Sequence, residues 1–387
     1  MKVLQFSTWN TACGIADYTA CLRAELLDCG GDIDVDVWPV DRIANNYRSH
    51  AEIAASLEQF VEAAVGYDAV HIQHEFSFFS GSYGVKTSID HFVATLRRLR
   101  KGGTRVVTTF HTHPRAIEPA TRRRGNLATS LYFRGRVGPA FSPRTGAVAV
   151  VHNRLTRRAL IDAGVSPAQI RVIPIGMPAV APITEARRAD AKRALGLPPL
   201  STVLGMFGFV TETKGHLTAL EAMRALPDEY YLLIVGGPHP HAPHNPLDDI
   251  LRWLHDNPAV ASRVVLTGYV DAEKLADLLA SVDVNIAPYD ETPVLSSSAA
   301  ITRAMASGRP VVASRIPAFL EINEVAAECL ALCSPGSPFE LAHQIEEVVG
   351  KPDFAKQLAL NCESYASANS WTTAAGKHAE MYRSLTR

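Results

Sequence analysis

The 387-residue chain has no run of about 18 consecutive apolar residues, so nothing in it reads as a membrane-spanning helix. It also lacks a charge imbalance: 38 Lys and Arg against 39 Asp and Glu leave a net charge of −1. No global field therefore draws in nucleic acid, and any basic surface has to be local. The six cysteines show neither CxxC spacing nor a dense framework, which argues against a disulfide scaffold or a cysteine-based zinc module. They read as reduced, mostly buried thiols of a cytoplasmic protein. No internal repeat and no low-complexity tract is visible. The start, MKVLQFSTWN, has one lysine and a short apolar run, which fits a first strand and not a signal peptide.

What the sequence does have is the composition of an ordinary globular α/β protein: 47% hydrophobic residues with 24 prolines and 25 glycines. Its length suggests two domains. Short Val-rich runs alternate with helical patterns. The first half offers strands at Lys2–Phe6, Ile33–Trp38, Asp68–Gln73, Arg105–Phe110 and Gly146–Val151, with helices near Ala16–Cys29, Ala51–Val65 and Lys86–Lys101. Apolar throughout, these strands suit a parallel sheet covered on both faces. A proline-rich stretch at 174–200 interrupts the pattern and reads as a linker with a lead-in helix. Strands then resume at Thr202–Phe207, Tyr230–Val235, Arg263–Thr267, Asp283–Pro288, Pro310–Ala313 and Cys329–Leu332. The expected fold is α/β, two consecutive doubly wound domains of similar size. The boundaries are 1–178 and 179–370. A terminal helix over 371–387 can belong to either and has the option of packing back on the first.

Ligands of open α/β sheets bind beyond the carboxyl ends of the strands, so the residues there are the candidates. After the first strand, Gly14-Ile15 precedes a helix, where backbone amides can approach an anion; an ordinary tight turn fits as well. After Phe207 come Gly208 and Phe209, then Lys214-Gly215 at the start of a helix. A cation beside amides that already carry partial positive charge needs a reason, and a bound phosphate supplies one; a solvated lysine is the other reading. The segment SSSAAITRAMASGRPVVAS, residues 296–314, opens a helix with three serines. One serine suffices as an N-cap, so Ser296, Ser297 and Ser298, with the amide of Ala299, offer spare donors for a diphosphate. Arg303, one turn on, reaches either a phosphate or ribose oxygen or the solvent. Gly236 and Gly237 permit close approach of a nucleotide, and the following His239, His241 and His244 read as a loop near the base more readily than as a zinc site. His74, Glu75, Phe76 and Tyr83 follow a buried strand and are candidates for contact with a sugar or lipid acceptor, or else pack under the next helix. Asp32, Asp34 and Asp36 alternate with apolar residues along a strand and read as its polar face, not as metal ligands. Between residues 115 and 144 lie seven arginines (115, 122, 123, 124, 134, 136 and 144) and one acid, Glu118. This stretch is a candidate for peripheral contact with an anionic membrane surface or a phosphorylated acceptor, or else a solvated face.

The strings HIQHEFSFF, TTFHTHP, VHNRLTRRAL, VIPIGM, GFVTETKGH, YLLIVGG, LTGYV and RAMASGRPVVAS occur along nearly the whole chain in one order. In that order and approximate spacing the sequence resembles the family-four glycosyltransferases, retaining enzymes of the GT-B fold. The resemblance implies two Rossmann-like domains facing a cleft, with 1–178 as the acceptor domain and the donor nucleotide held mainly by 179–370. It also implies that Lys214 contacts the donor diphosphate, that the Gly14 loop closes over it and that His111 stands near the transferred sugar. Two positions depart from the family. Its arginine five residues before the lysine is Phe209 here, and its Glu-x7-Glu pair reads Leu295 and Arg303.

The expected activity is therefore metal-independent transfer of a hexosyl group, with retention, from a nucleoside-diphosphate sugar. The acceptor is a small molecule, a glycan or a lipid-linked sugar. No cofactor, metal or nucleic acid is expected, and the expected location is the cytoplasm or the inner face of the membrane. His111 and Lys214 are the expected catalytic residues. Two rival readings are a nucleotide-sugar-binding protein without transfer activity, which Phe209, Leu295 and Arg303 favour, and a sugar-nucleotide epimerase using Glu75, Glu291 and His111.

Overall fold

The valine-rich runs become strands that pair only in parallel, as their uniform hydrophobicity requires. The computed structural model describes residues 1–40, 49–81, 83–112, 124–179, 183–238, 245–291 and 297–385. Six strands form the first sheet: β1 (Lys2–Ser7), β2 (Asp34–Pro39), β3 (Ala69–His74), β4 (Arg105–Phe110), β5 (Val148–Val151) and β6 (Ile170–Val172), in the order β2-β1-β3-β4-β5-β6. The second contains β7 (Thr202–Phe207), β8 (Tyr230–Val235), β9 (Val264–Leu266), β10 (Val284–Ala287), β11 (Val311–Ser314) and β12 (Leu330–Cys333), in the order β12-β11-β10-β7-β8-β9. Both are doubly wound. The strand order reverses direction at β1/β3 in one sheet and at β7/β10 in the other, and such switch points open the crevice where ligands bind. The strand β6 is not among those expected from the sequence.

The chain divides into two units: Met1–Gly176 with Asn369–Arg387, and Met177–Thr292 with Ser298–Ala368. In the first unit the final helix, Trp371–Leu385, lies with the helix Gly14–Gly30 over one face of the sheet. Val3, Leu22, Val35, Val107, Val150 and Tyr382 fill the space beneath them. Gly176 shows why the chain end belongs here. A Cβ on Gly176 would stand 2.3 Å from the Trp371 ring, so the indole fills the space a side chain would take. The opposite face buries an aromatic core that includes Phe6, Phe60, Phe79, Phe92, Phe110 and Phe141.

A buried ion pair anchors the start of the second unit. The Asp283 carboxylate accepts from Lys192 Nζ at 2.7 Å, from Arg188 at 3.1 Å and from the Val203 amide at 2.8 Å. It thereby ties the helix Glu185–Ala194 to β7 and to the approach to β10. Lys192 has no escape to water, with its side chain 6% exposed. Removing only the countercharge leaves that cation buried and poorly paired. Asp283→Asn should therefore cost about 2 kcal/mol and lower Tm by several degrees in calorimetry; an unchanged Tm would show the pair to be energetically neutral.

The aspartates of β2 keep the pattern read from the sequence. Asp34 and Asp36 are exposed and Val35 is fully buried between them. Asp32 pairs with Arg383, and Asp36 accepts from the Tyr67 hydroxyl. Five cysteines, Cys13, Cys21, Cys329, Cys333 and Cys362, are free thiols.

Candidate active site

At the switch point of the second sheet the backbone closes around one amine. The strand β7 ends at Phe207, and Gly208 follows with φ +94°, a left-handed conformation that suits glycine. A Cβ there would lie 2.6 Å from Lys214 Nζ and 3.4 Å from the Ala300 Cβ. Gly215 (φ +69°) is held still more tightly: a Cβ would stand 1.8 Å from the Pro288 carbonyl oxygen, beyond the end of β10. Gly236, after β8, backs onto the Gly208 carbonyl, and Gly237 meets the Tyr269 backbone. The half-buried Lys214 ammonium donates to the Phe207 carbonyl at 3.4 Å, a long bond for a cation. Burial of the amine depresses its pKa from 10.5 to about 8. Behind it, His216 opens the helix His216–Met223 in the buried state, its pKa lowered to about 4 by desolvation and by the Lys214 charge. A desolvated ammonium at a helix start and a switch point is a group whose charge an anion would neutralise.

The serine segment divides. Ser298 is the N-cap of the helix Ala299–Met305: its Oγ accepts from the Ile301 amide at 3.3 Å and pairs with the Tyr289 hydroxyl at 2.8 Å. That hydroxyl is committed inside the second unit and is not the spare donor expected. Ser297 is partly buried, Ala299 is exposed, and Ser296 lies outside the described residues, as does Leu295. Arg303, in the last turn, is half-buried and not a free side chain, which sets aside simple solvation. Phe209 is partly buried and stacks on Tyr269, centroids 6.2 Å apart and planes 20° from parallel, while Tyr269 remains 63% exposed. Sequence reasoning missed Tyr269; the signal was the aromatic that follows Gly268 at the end of the LTGYV string.

In the first unit, the strand face under the terminal helix turns polar toward the carboxyl ends. Val3, Gln5 and Ser7 follow one another on β1, then Ala69, His71 and Gln73 on β3, and Val107, Thr109 and His111 along β4 and past its end. His111 Nε2 lies 2.8 Å from the Gln73 amide oxygen, and its Nδ1 lies 3.4 Å from His152 Nε2. Both ring nitrogens are thus engaged within the unit, and burial holds the imidazole well below its usual pKa, in the neutral state. Glu75 stays half-buried beside this group, its pKa raised by desolvation, and its carboxylate accepts from the Thr112 hydroxyl. Gly14 heads the helix Gly14–Gly30 at the β1/β3 switch. A Cβ on it would meet nothing within 4 Å, and the cap residue, Cys13, makes no side-chain bond to the helix. Ile15 beside it packs against the aromatic core.

Two acceptor candidates are not surface groups. His74 is 1% exposed and boxed by Phe76, Phe79, Phe92 and Phe110, and Phe76 is itself buried. The β3 pleat sends His74 into the aromatic core, so neither side chain offers contact to a substrate. Tyr83 stacks on His50, with ring centroids 4.0 Å apart. The loop histidines 239, 241 and 244 lie outside the described residues, as do Arg115, Glu118, Arg122 and Arg123 of the basic stretch. From its remainder, Arg136 pairs with Asp90 at 2.7 Å, and Arg134 and Arg144 are exposed. Among the described residues no three acidic, histidine or cysteine side chains assemble into a metal-holding group, and no helix is long and apolar enough to cross a membrane.

Two parallel six-stranded sheets with these switch points make this a protein of the GT-B fold. The fold is shared with the Anabaena protein HepE crystallised with UDP-glucose, which is 18% identical with a TM-score of 0.73 over 99% of this chain and 100% of that one. Residues 201–351 match the family described as glycosyl transferases group 1. Two curated relatives are similar over longer stretches. The D-inositol 3-phosphate glycosyltransferase of Corynebacterium urealyticum is 27% identical over 209 residues, 53% of this chain and 48% of that protein. The MMP alpha-(1->4)-mannosyltransferase of Mycolicibacterium hassiacum is 25% identical over 297 residues, 74% of this chain and 67% of that protein. The alignment spans about half the length of the first of these relatives.

Proposed function

We propose that the protein is a glycosyltransferase that takes a hexosyl group from a nucleoside-diphosphate sugar and transfers it, with retention and without a bound metal, to a hydroxyl acceptor. The observation that carries this reading is the Lys214 ammonium, desolvated at the β7/β10 switch and given one carbonyl at 3.4 Å. A diphosphate supplies the missing countercharge. As the bond from the anomeric carbon to phosphate breaks, charge grows on the diphosphate oxygen, and a fixed cation in a low-dielectric site stabilises it. The acceptor oxygen bonds to the same face of that carbon, and its proton passes to the departing diphosphate. No side-chain nucleophile is required, which suits an imidazole at position 111 whose nitrogens are both engaged. HepE was crystallised with UDP-glucose, and this supports uridine nucleotides as the first donors to try.

Product analysis after incubation with a panel of UDP- and GDP-sugars and simple acceptors tests the reading. Transfer that persists in excess EDTA is expected. Activity that EDTA abolishes and magnesium or manganese restores would overturn its metal-independent part. Nucleotide binding with no product would favour the binding-protein reading, for which Phe209 in place of a family arginine is the specific observation. Recovery of an epimerised nucleotide sugar would point instead to the epimerase.

Gly14 gives a second, sharper test. Its backbone is not left-handed and a Cβ there meets open space, so neither strain nor packing demands glycine. Gly14→Ala should leave Tm unchanged or raise it slightly. If the sugar diphosphate approaches these amides, the same methyl displaces it, and turnover should fall roughly 10-fold or more, since about 1 Å of misplacement can cost 100-fold. Wild-type turnover in this variant would remove the loop from the donor site.

A further inference from the structure

We propose that His152 is a positioning residue for His111, the last link of a one-directional hydrogen-bond chain running from Gln5 through Gln73 and His111 to His152 and the Ile173 carbonyl. Only one end of this chain has a fixed direction of donation. His152 Nδ1 lies 3.0 Å from the Ile173 carbonyl oxygen, which can only accept, so the proton of that ring sits on Nδ1. His152 is buried and its pKa is depressed to about 4 by desolvation, so the ring is neutral and its Nε2 carries a lone pair. That lone pair faces His111 Nδ1 at 3.4 Å. Two bare nitrogens cannot share this contact, so His111 Nδ1 must be the donor, and His111 Nε2 is then the bare one. Its partner on Gln73, at 2.8 Å, must in turn be an N–H donor.

This requires the Gln73 amide to be turned by 180°, exchanging its oxygen and nitrogen, a choice that only the hydrogen-bond network decides. The far end of the chain supports the turn independently. Without it, Gln73 Nε2 donates to Gln5 Oε1 at 3.3 Å, and the Gln5 amide nitrogen is buried with no partner. Turning both amides lets Gln5 donate to Gln73, which donates to His111, which donates to His152, which donates to Ile173. Every nitrogen-bound proton in line then has an acceptor, and the one atom left over is a Gln5 carbonyl oxygen. An unsatisfied buried acceptor is more readily tolerated than an orphaned N–H. The unturned arrangement instead leaves an orphan amide at one end and two opposed lone pairs at the other. The chain spans β1, β3, β4 and β5, so it fixes His111 at the carboxyl edge where the Glu75–Thr112 pair also sits.

The measurement is the tautomer itself. In protein labelled with 15N-histidine at neutral pH, long-range proton–nitrogen correlation should show His111 with a pyrrole-type Nδ1 and a pyridine-type Nε2. The ring is assigned through its contacts with Tyr18, whose centroid is 5.0 Å away. The reverse pattern, or two pyrrole-type nitrogens, would overturn the chain. Gln73→Glu replaces the donor with an acceptor and should switch His111 to the Nε2–H form or to imidazolium. No change in that variant would show that Gln73 already accepts, and would likewise overturn it. The role in turnover rests on the transferase reading and is tested separately. His152→Phe removes the acceptor, so it should shift the His111 tautomer and lower kcat by roughly 10-fold while UDP affinity stays at the wild-type level. A lowered kcat with the tautomer unmoved would exclude positioning but leave the transferase intact. No transfer by the wild type would sink the transferase reading and leave the tautomer result standing.

Discussion

Lys214→Ala should reduce turnover by about 100-fold or more, the loss expected when one preorganised stabiliser of a leaving group is removed. It should do so without unfolding the protein. A desolvated ammonium that donates to a single carbonyl at 3.4 Å contributes little to the empty fold, so Tm of the ligand-free variant should stay near wild type or rise. The pH dependence carries the same signature, with a definite sign. In the empty site the amine loses its proton near pH 8 instead of 10.5. A nearby diphosphate favours the charged form and raises that value, so binding takes up a proton above pH 8. UDP affinity should accordingly be flat below pH 8 and fall by up to tenfold per pH unit as pH rises through that value, a dependence absent in Lys214→Ala. Calorimetric titration in buffers of different ionisation enthalpy reads the proton uptake directly. Unaltered turnover in the alanine variant, or affinity that ignores pH in the wild type, would take the diphosphate away from Lys214.

The position of Lys214 was legible because the rule it obeys is local. A strand, a glycine and a basic helix start occur within 15 residues of sequence, from β7 to His216. The strands were legible for the same reason. Eleven of the twelve announce themselves as runs of β-branched and aliphatic residues, whereas β6 is three residues long and follows directly on a proline-bearing turn. What sequence could not give was the use made of each side chain. Ser298 and its neighbours look equivalent in a string, but only the residue with extended backbone at the helix start, φ −134°, becomes the cap. His74 and Gln73 are adjacent, and the pleat alone sends one into a box of phenylalanines and the other toward His111. The polar cluster of the first unit is further from view. His71, His111, His152 and His378 come from four elements, and the register of three strands and the docking of the final helix bring them together. Tyr18 and Tyr382 join them, at 3.3 Å from His378 and 2.5 Å from His71. No spacing along the chain encodes that meeting.

The histidines of the first unit should make it acid-labile, and the effect should be large. Four imidazoles of the first unit are buried, His71, His74, His152 and His378, and His111 is partly buried. Desolvation lowers all of them, His74 to about 3 and His152 and His378 to about 4, and for His71 and His111 neighbouring histidines add to the shift. In the unfolded chain each returns to a pKa of about 6.5. Below that value the unfolded state binds protons that the folded state refuses, so stability falls as pH drops, until pH reaches each ring's lowered value in the folded state. Each group contributes a slope approaching 1.4 kcal/mol per pH unit. Five acting together amount to several kcal/mol one unit below pH 6.5, comparable to the whole stability of a domain. The second unit has a single described histidine of this kind, His216. Fluorescence of Trp253→Phe, whose remaining tryptophans 9, 38 and 371 all belong to the first unit, should therefore report a transition that moves steeply to lower temperature between pH 7 and 5. Replacing His74, whose ring nitrogens have no hydrogen-bond partner, by Phe should flatten the slope by one proton without loss of the neutral-pH fold. A Tm independent of pH over this interval would mean that these rings take up protons in the native protein as readily as in the unfolded chain, and the neutral-imidazole chemistry assigned to the first unit would fall with it.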